Sequence, residues 1–267
     1  MSASAVSRPS LIDTHCHLDR LEEVEAELQF AQESGLQGLM TIGTRWSKRH
    51  EQLALLAQDR PELRVWCALG THPDHVHEEE LPTLDEMVRV LEQPGVVAVG
   101  ETGLDYLHGS EEMRPRQKES FRRHIAASRE TGLPLVIHSR EADEDMGALL
   151  TEEQEKDAFP FLLHCFAGGE KLARTALELG GYLSFSGLLT FPKCGHIRDV
   201  ARKAPESRIL VETDSPFLAP VPKRGKANTP GFVVHTAERL AQEREMAPER
   251  LAEITTANAL RLFSRAR

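Results

Sequence analysis

At 267 residues, with 40% apolar, 28% charged and 5% aromatic residues, the chain has ordinary globular composition and enough apolar mass for one large core. No apolar run nears the ~18 residues of a membrane span, the four cysteines (Cys16, Cys67, Cys165, Cys194) show no CxxC or framework spacing, and 32 Lys and Arg against 42 Asp and Glu give a net charge of −10. These figures exclude a membrane protein, a disulfide scaffold, a disordered chain and nucleic-acid binding by bulk positive charge.

Residues 1–10 lack the basic start and apolar stretch of a secretion signal and read as a flexible tail. With reduced thiols, this makes a cytoplasmic protein the expectation. The first predicted strand, 11–15, runs into His15 and His17. Two apart on a strand, they share one face while Cys16 takes the other. Such a pair is half of a metal site, or else two polar residues satisfied at a strand end. Helical spacing over 21–33 leads to a strand at 38–42, a helix over 47–58 and a strand at 65–69, after which comes Gly70-Thr71-His72-Pro73-Asp74-His75. The fourth strand, 96–100, is followed by Glu101, whose two oxygens could serve two cations, or which could be an ion-paired or capping Glu. Gly100 and Gly103 beside it would let the backbone pass close to a ligand. Asp105 reads as a group orienting a histidine, a substrate contact or a turn residue.

Helices over 84–92 and 116–130 flank this stretch, with Arg114, Arg116 and Lys118 read as a solvated helix start. The fifth strand, 133–138, ends in His138, with Arg140 next as a two-pronged phosphate ligand or a surface residue. The sixth, 161–165, carries His164. An imidazole after an aliphatic run needs a partner, since burying it alone costs a few kcal/mol. A helix over 170–179, a strand at 181–186 and a strand at 208–212 follow; the last leads through Glu212 to Asp214. The loop beyond holds Lys223, Arg224 and Lys226, as phosphate contacts or a solvated turn, before a final amphipathic stretch over 233–244.

Strand starts recur every 20 to 37 residues, the length of a βα unit. Eight such units predict an α/β protein of one domain over 11–267, a (β/α)8 TIM barrel, in preference to a doubly wound sheet, which usually carries a Gly-rich loop after its first strand. Five of the twelve histidines fall at predicted strand ends or just beyond, the positions from which barrels do their chemistry.

The strings Asp13-Thr14-His15-Cys16-His17, Gly100-Glu101-Thr102-Gly103-Leu104-Asp105, Leu135-Val136-Ile137-His138-Ser139-Arg140, His164-Cys165-Phe166-Ala167-Gly168 and Glu212-Thr213-Asp214-Ser215-Pro216 together resemble the TatD family of metal-dependent deoxyribonucleases, in the amidohydrolase superfamily. The resemblance extends to the closing motif Thr255-Thr256-Ala257-Asn258-Ala259 and to Asn228-Thr229-Pro230. It implies two divalent metal ions (Zn, Mn, Mg, Fe, Co or Ni). His15, His17 and Asp214 would hold the first, His138 and His164 the second, and Glu101 would bridge them. DNA, or RNA, would be the substrate, with single-strand exonuclease action; a monomer is plausible. A phosphodiester would be cut by an activated water whose proton goes to Asp214, with Glu101 the other catalytic residue. His72, Arg140, Asp105, Lys223 and Arg224 are the candidate substrate contacts. Asp74 departs from the family pattern. The rival activities are cleavage of an amide or an aminoacyl ester, and deamination with Glu141 as the acid–base group. Relatives that open cyclic amides use a carbamylated Lys at the end of strand 4, and no Lys lies between Ala68 and Arg116. A non-enzymatic scaffold would be expected to have lost ligands, and all six are present.

Overall fold

The computed structural model describes residues 10–266; apart from Ser10, the tail expected over 1–10 lies outside the described residues. Strands and helices alternate: β1 (Leu11–Cys16), α1 (Val24–Glu33), β2 (Leu36–Ile42), α2 (Arg49–Leu55), β3 (Arg64–Leu69), α3 (Leu84–Leu91), β4 (Val96–Asp105), α4 (Arg114–Thr131), β5 (Leu135–Arg140), α5 (Asp143–Lys156), β6 (Phe161–Leu163), α6 (Glu170–Glu178), β7 (Tyr182–Phe185), α7 (Gly195–Lys203), β8 (Ile209–Val211), α8 (Val233–Glu243) and α9 (Pro248–Leu262). The eight strands form one parallel sheet in sequence order, as expected of a (β/α)8 barrel.

Seven neighbouring pairs are laddered. The eighth junction, β8 to β1, is drawn together by a single bridge between Cys16 and Ser215. Side chains stitch the same seam: Thr213 donates its Oγ1–H to Asp13 Oδ2 at 2.5 Å and its N–H to Asp13 Oδ1 at 2.9 Å. Thr14 Oγ1 donates to Val211 O at 2.9 Å.

Alternation along the strands sorts the core into two layers. Ile12, Met40, Trp66, Val136, Leu162 and Leu210 fill the barrel interior, and Leu262 and Phe263 close it at one end. The opposite strand faces pack against the helix ring through residues such as Leu39, Leu69, Leu135 and Phe185. The closing motif over 255–259 is structural here. Asn258 donates from Nδ2 to Glu206 O at 2.7 Å and Ile209 O at 2.9 Å, pinning α9 to the start of β8.

Several predicted boundaries move. The helix expected over 47–58 is α only in its middle, with a 3-10 turn at each end. The first helix starts at Val24, not 21. The sixth strand stops at Leu163, so His164 follows it, and the fourth continues through Glu101 to Asp105. Gly100 and Gly103 have positive φ (132° and 141°) and serve strand contact, not ligand approach. A Cβ there would come within 2.6 Å of Val136 O and 2.0 Å of His138 O respectively. Arg116, expected as part of a solvated helix start, is half-buried: its guanidinium donates to the carbonyls of Val76 and Glu79, clamping the loop after β3.

Candidate metal centre

Period-two alternation delivers ligands to the rim. Two residues beyond inward-facing Val136, Leu162 and Leu210 come His138, His164 and Glu212. Strand irregularities accompany two more. β1 slips register against β2 between Asp13 and Cys16, and β4 against β5 between Val99 and Thr102. Such slips re-aim side chains, and these two bracket His15 and Glu101.

Glu101 is the hub. Its Oε1 lies 2.7 Å from His164 Nε2, 3.0 Å from His138 Nδ1 and 3.5 Å from His72 Nε2. Its Oε2 lies 3.4 Å from His15 Nε2. Asp214 Oδ1 is 3.3 Å from His17 Nε2 and 3.7 Å from His15 Nε2. The potential ligand atoms fall into overlapping sets: His15, His17 and Asp214; His15, Glu101 and His164; and His72, Glu101 and His138. The six residues expected to hold metal thus meet, and His72, expected as a substrate contact, touches the same carboxylate.

Most of the imidazoles are oriented from behind. His17 Nδ1 lies 3.1 Å from Ile42 O. His138 Nε2 lies 3.0 Å from Asp105 Oδ2, leaving Nδ1 for Glu101. His164 Nδ1 is 3.4 Å from Glu212 Oε1 without a hydrogen bond between them, and that oxygen accepts the Cys165 N–H at 2.7 Å. His72 Nδ1 accepts the Asp74 N–H at 3.1 Å, which turns its Nε2 inward. Carbonyls and carboxylates behind the inward-facing nitrogen are the usual supports of metal-binding histidines.

The residues fit cations on one further observation. His15 is fully buried, yet neither ring nitrogen has a hydrogen-bond partner, an arrangement that costs energy unless something else uses the lone pair. Ligand atoms about 2.1 Å from one tetrahedral ion stand roughly 3.4 Å apart, close to the spacing of His15 Nε2 from Glu101 and Asp214. In the absence of a cation the charges of the cluster act on one another. Burial pushes the Glu101 carboxyl up, but His164, His72 and His15 outweigh it and hold it well below the usual carboxylate range. Burial keeps His15 below the usual imidazole value. His164 is depressed by burial but carried well above its usual value by Glu101 and Glu212.

His17, His72, Glu101, His138, His164 and Asp214 line a cavity of about 480 Å³ at the barrel mouth; His15, fully buried, does not. Arg140 lines it, its Nε buried without a hydrogen-bond partner. Asp105 also lines it, but its Oδ1 accepts the N–H groups of Leu107 (2.9 Å) and His108 (2.8 Å) while Oδ2 faces His138. It therefore acts on His138. Lys223 and Arg224 are not among the lining residues; they lie against Phe232 and Phe191, 5.3 and 4.3 Å from the ring centroids. Asp74 and His75 line the cavity, as do residues the sequence did not single out, among them Arg20, His108 and Phe217. Phe217 follows Asp214 by three positions, the one cue the chain offers; Arg20 and His108 carry none.

The pattern of the TatD related DNase family matches residues 12–264. The uncharacterized metal-dependent hydrolase YcfH of Escherichia coli K12 is 39% identical over 259 residues, 95% of each chain. The 3'-5' ssDNA/RNA exonuclease TatD of Edwardsiella piscicida is 33% identical, covering 87% of this chain and 90% of its own. The crystal structure of the TatD homologue YJJV of E. coli K12 superposes with a TM-score of 0.86 at 28% identity, over 95% of this chain and 98% of that one.

Proposed function

The chain belongs to the TatD related DNase family, whose relatives include metal-dependent hydrolases, and on that premise we propose that it hydrolyses phosphodiester bonds of single-stranded DNA or RNA from an end. The observation that carries this reading is Glu101, buried, with one oxygen toward His15 and the other toward His138 and His164. A carboxylate so shared would bridge two cations, with His15, His17 and Asp214 on one side and His138 and His164 on the other. Bound there, divalent ions would supply Lewis acidity and neutralise a phosphodiester's charge. That answers the net charge of −10, which would otherwise repel a polyanion.

Asp214, 15% exposed at the cavity, would take the proton of the attacking water. Its φ of 60° is a backbone conformation uncommon outside glycine, and its N–H is tied to His15 O at 2.8 Å, so the main chain that carries the carboxylate is fixed. Asp105 fixes the His138 ring. Arg140, with free donors at the cavity wall, would grip a phosphate. The name of the Edwardsiella piscicida relative supports a 3'-to-5' direction on single strands.

Metal-stripped protein re-supplied with Mg, Mn or Zn and offered labelled single-stranded DNA, RNA and an amide panel tests the reading. Oligonucleotide shortening that a chelator abolishes is expected. Amide turnover with intact nucleic acid would reject it.

A further inference from the structure

Phe217 is 45% exposed, as are four other large apolar side chains to similar degree (Phe30, Leu84, Leu107 and Val221), but of these it alone lines the cavity. Single exposed apolar residues need no explanation on a surface; one at the wall of a charged pocket does. Its ring centroid lies 6.0 Å from that of His17, the two planes at 71°, and the Arg20 guanidinium carbon lies 5.6 Å from the Phe217 centroid. Arg20 has no carboxylate partner among the described residues and meets only Thr44 Oγ1, at 3.3 Å. The backbone that carries the ring is tied to the residues around Asp214. Phe217 N–H donates to Asp214 O at 2.9 Å, and Asn228 Nδ2 donates to both Phe217 O (2.6 Å) and Thr213 O (2.9 Å).

Resting on the nuclease reading, we infer that Phe217 with Arg20 is a stacking platform for the nucleobase beside the scissile phosphate, and that it makes the pocket prefer a nucleotide with an unpaired base. A phenyl ring and a guanidinium offer flat surfaces that any base can cover without sequence preference. A base paired in a duplex keeps its faces on its neighbours and cannot use them. The fixed turn sets the platform's distance from Asp214, so a stacked base would hold the adjoining phosphodiester at the ligand cluster.

The test is a cycle of ring and base deletions. Wild type, Phe217→Ala and Phe217→Trp, each loaded with Mn, are given 5'-labelled single-stranded DNA that is intact, abasic at the terminal nucleotide, or abasic at the penultimate one. Base–aromatic stacking is worth about 1–3 kcal/mol, so removing the ring should raise KM about tenfold on intact DNA and lower kcat less. One of the two abasic substrates should raise KM as much with wild type and no further with Phe217→Ala. Phe217→Trp should keep a KM near wild type, with its added indole fluorescence quenched by oligonucleotide. Unchanged KM for Phe217→Ala, or penalties that add at both abasic positions, would overturn the inference while leaving the nuclease reading intact. Failure of wild type to cut any oligonucleotide with any metal would remove the nuclease reading and this inference with it.

Discussion

Replacing Asp105 by Asn tests how the cluster is built, because it alters one atom and removes one charge without changing shape. Asp105 Oδ1 accepts two backbone N–H groups, from Leu107 and His108, and Oδ2 faces His138 Nε2 and His108 Nδ1, each at 3.0 Å. Asn has a single oxygen. Turning its NH2 toward the two amides would strand both, at about 1–3 kcal/mol each, so the oxygen stays there and the NH2 faces His138. The imidazole must then accept at Nε2 and carry its proton on Nδ1, the atom 3.0 Å from Glu101 Oε1. The lone pair a cation needs is lost. Altering such a supporting carboxylate typically costs 10–100-fold in metal affinity, or about 1.4–2.7 kcal/mol. Calorimetric titration of metal-free protein with Mn should show one weakened site and one near normal, and oligonucleotide cleavage at limiting Mn should fall in parallel. Thermal stability without metal should barely change, because the turn is kept. Two sites of wild-type affinity in the variant would refute the argument.

Glu101→Ala should abolish cleavage and lower bound metal by about one equivalent while circular dichroism stays that of the barrel; full activity would reject the bridging role. Arg140→Ala should weaken single-stranded DNA binding and reduce the slope of log affinity against log salt by about 0.7, and an unchanged slope would remove it from the phosphate contacts. His124 is buried, with Nδ1 donating to Ser120 O at 2.8 Å and Nε2 accepting the Thr71 N–H at 3.1 Å, and burial lowers its pKa to about 4 from 6.5. The unfolded chain takes up a proton the fold refuses, so its contribution is whole above pH 6.5 and shrinks as pH falls toward 4, by about 2 kcal/mol at pH 5. The melting temperature of His124→Gln should therefore drop less than that of wild type between pH 7.5 and pH 5; equal drops would dismiss His124 as a source of acid lability. Thr213→Val removes the hydrogen bond to Asp13 Oδ2 and should cost about 1–3 kcal/mol, read as a melting temperature several degrees lower; an unshifted midpoint would mean that this stitch carries no load.

The eight βα units were readable because buried parallel strands are short apolar runs, and a barrel repeats them at a regular interval. The ligands were readable for a related reason. His138 and His164 each end an aliphatic run, where a polar side chain has no place without a partner. His15 and His17 looked like a plain same-face pair, but the slip in β1 accompanies the approach of His15 to Glu101, and no pattern of residue types announces a slip. His72 and Phe217 sit in loops whose position depends on distant elements: Arg116 of α4 holds the loop after β3, and Asn228 holds the turn of Phe217. Lys223 and Arg224 read as free cations because a sequence does not say which rings lie beneath them; Phe191 and Phe232 do.

The weakest junction of the cylinder runs directly beneath its richest chemistry. His15 and His17 lie at the end of the first strand and Asp214 just beyond the last, and among the described residues one isolated backbone bridge joins those two edges. An ion gripped by all three would act as a clasp between chain regions about two hundred positions apart, and it could be gripped only after the cylinder had shut. Loading the metal would then tighten a fold already closed. Chelation would loosen the structure along a single line, and amides flanking that line should be the first to exchange with solvent.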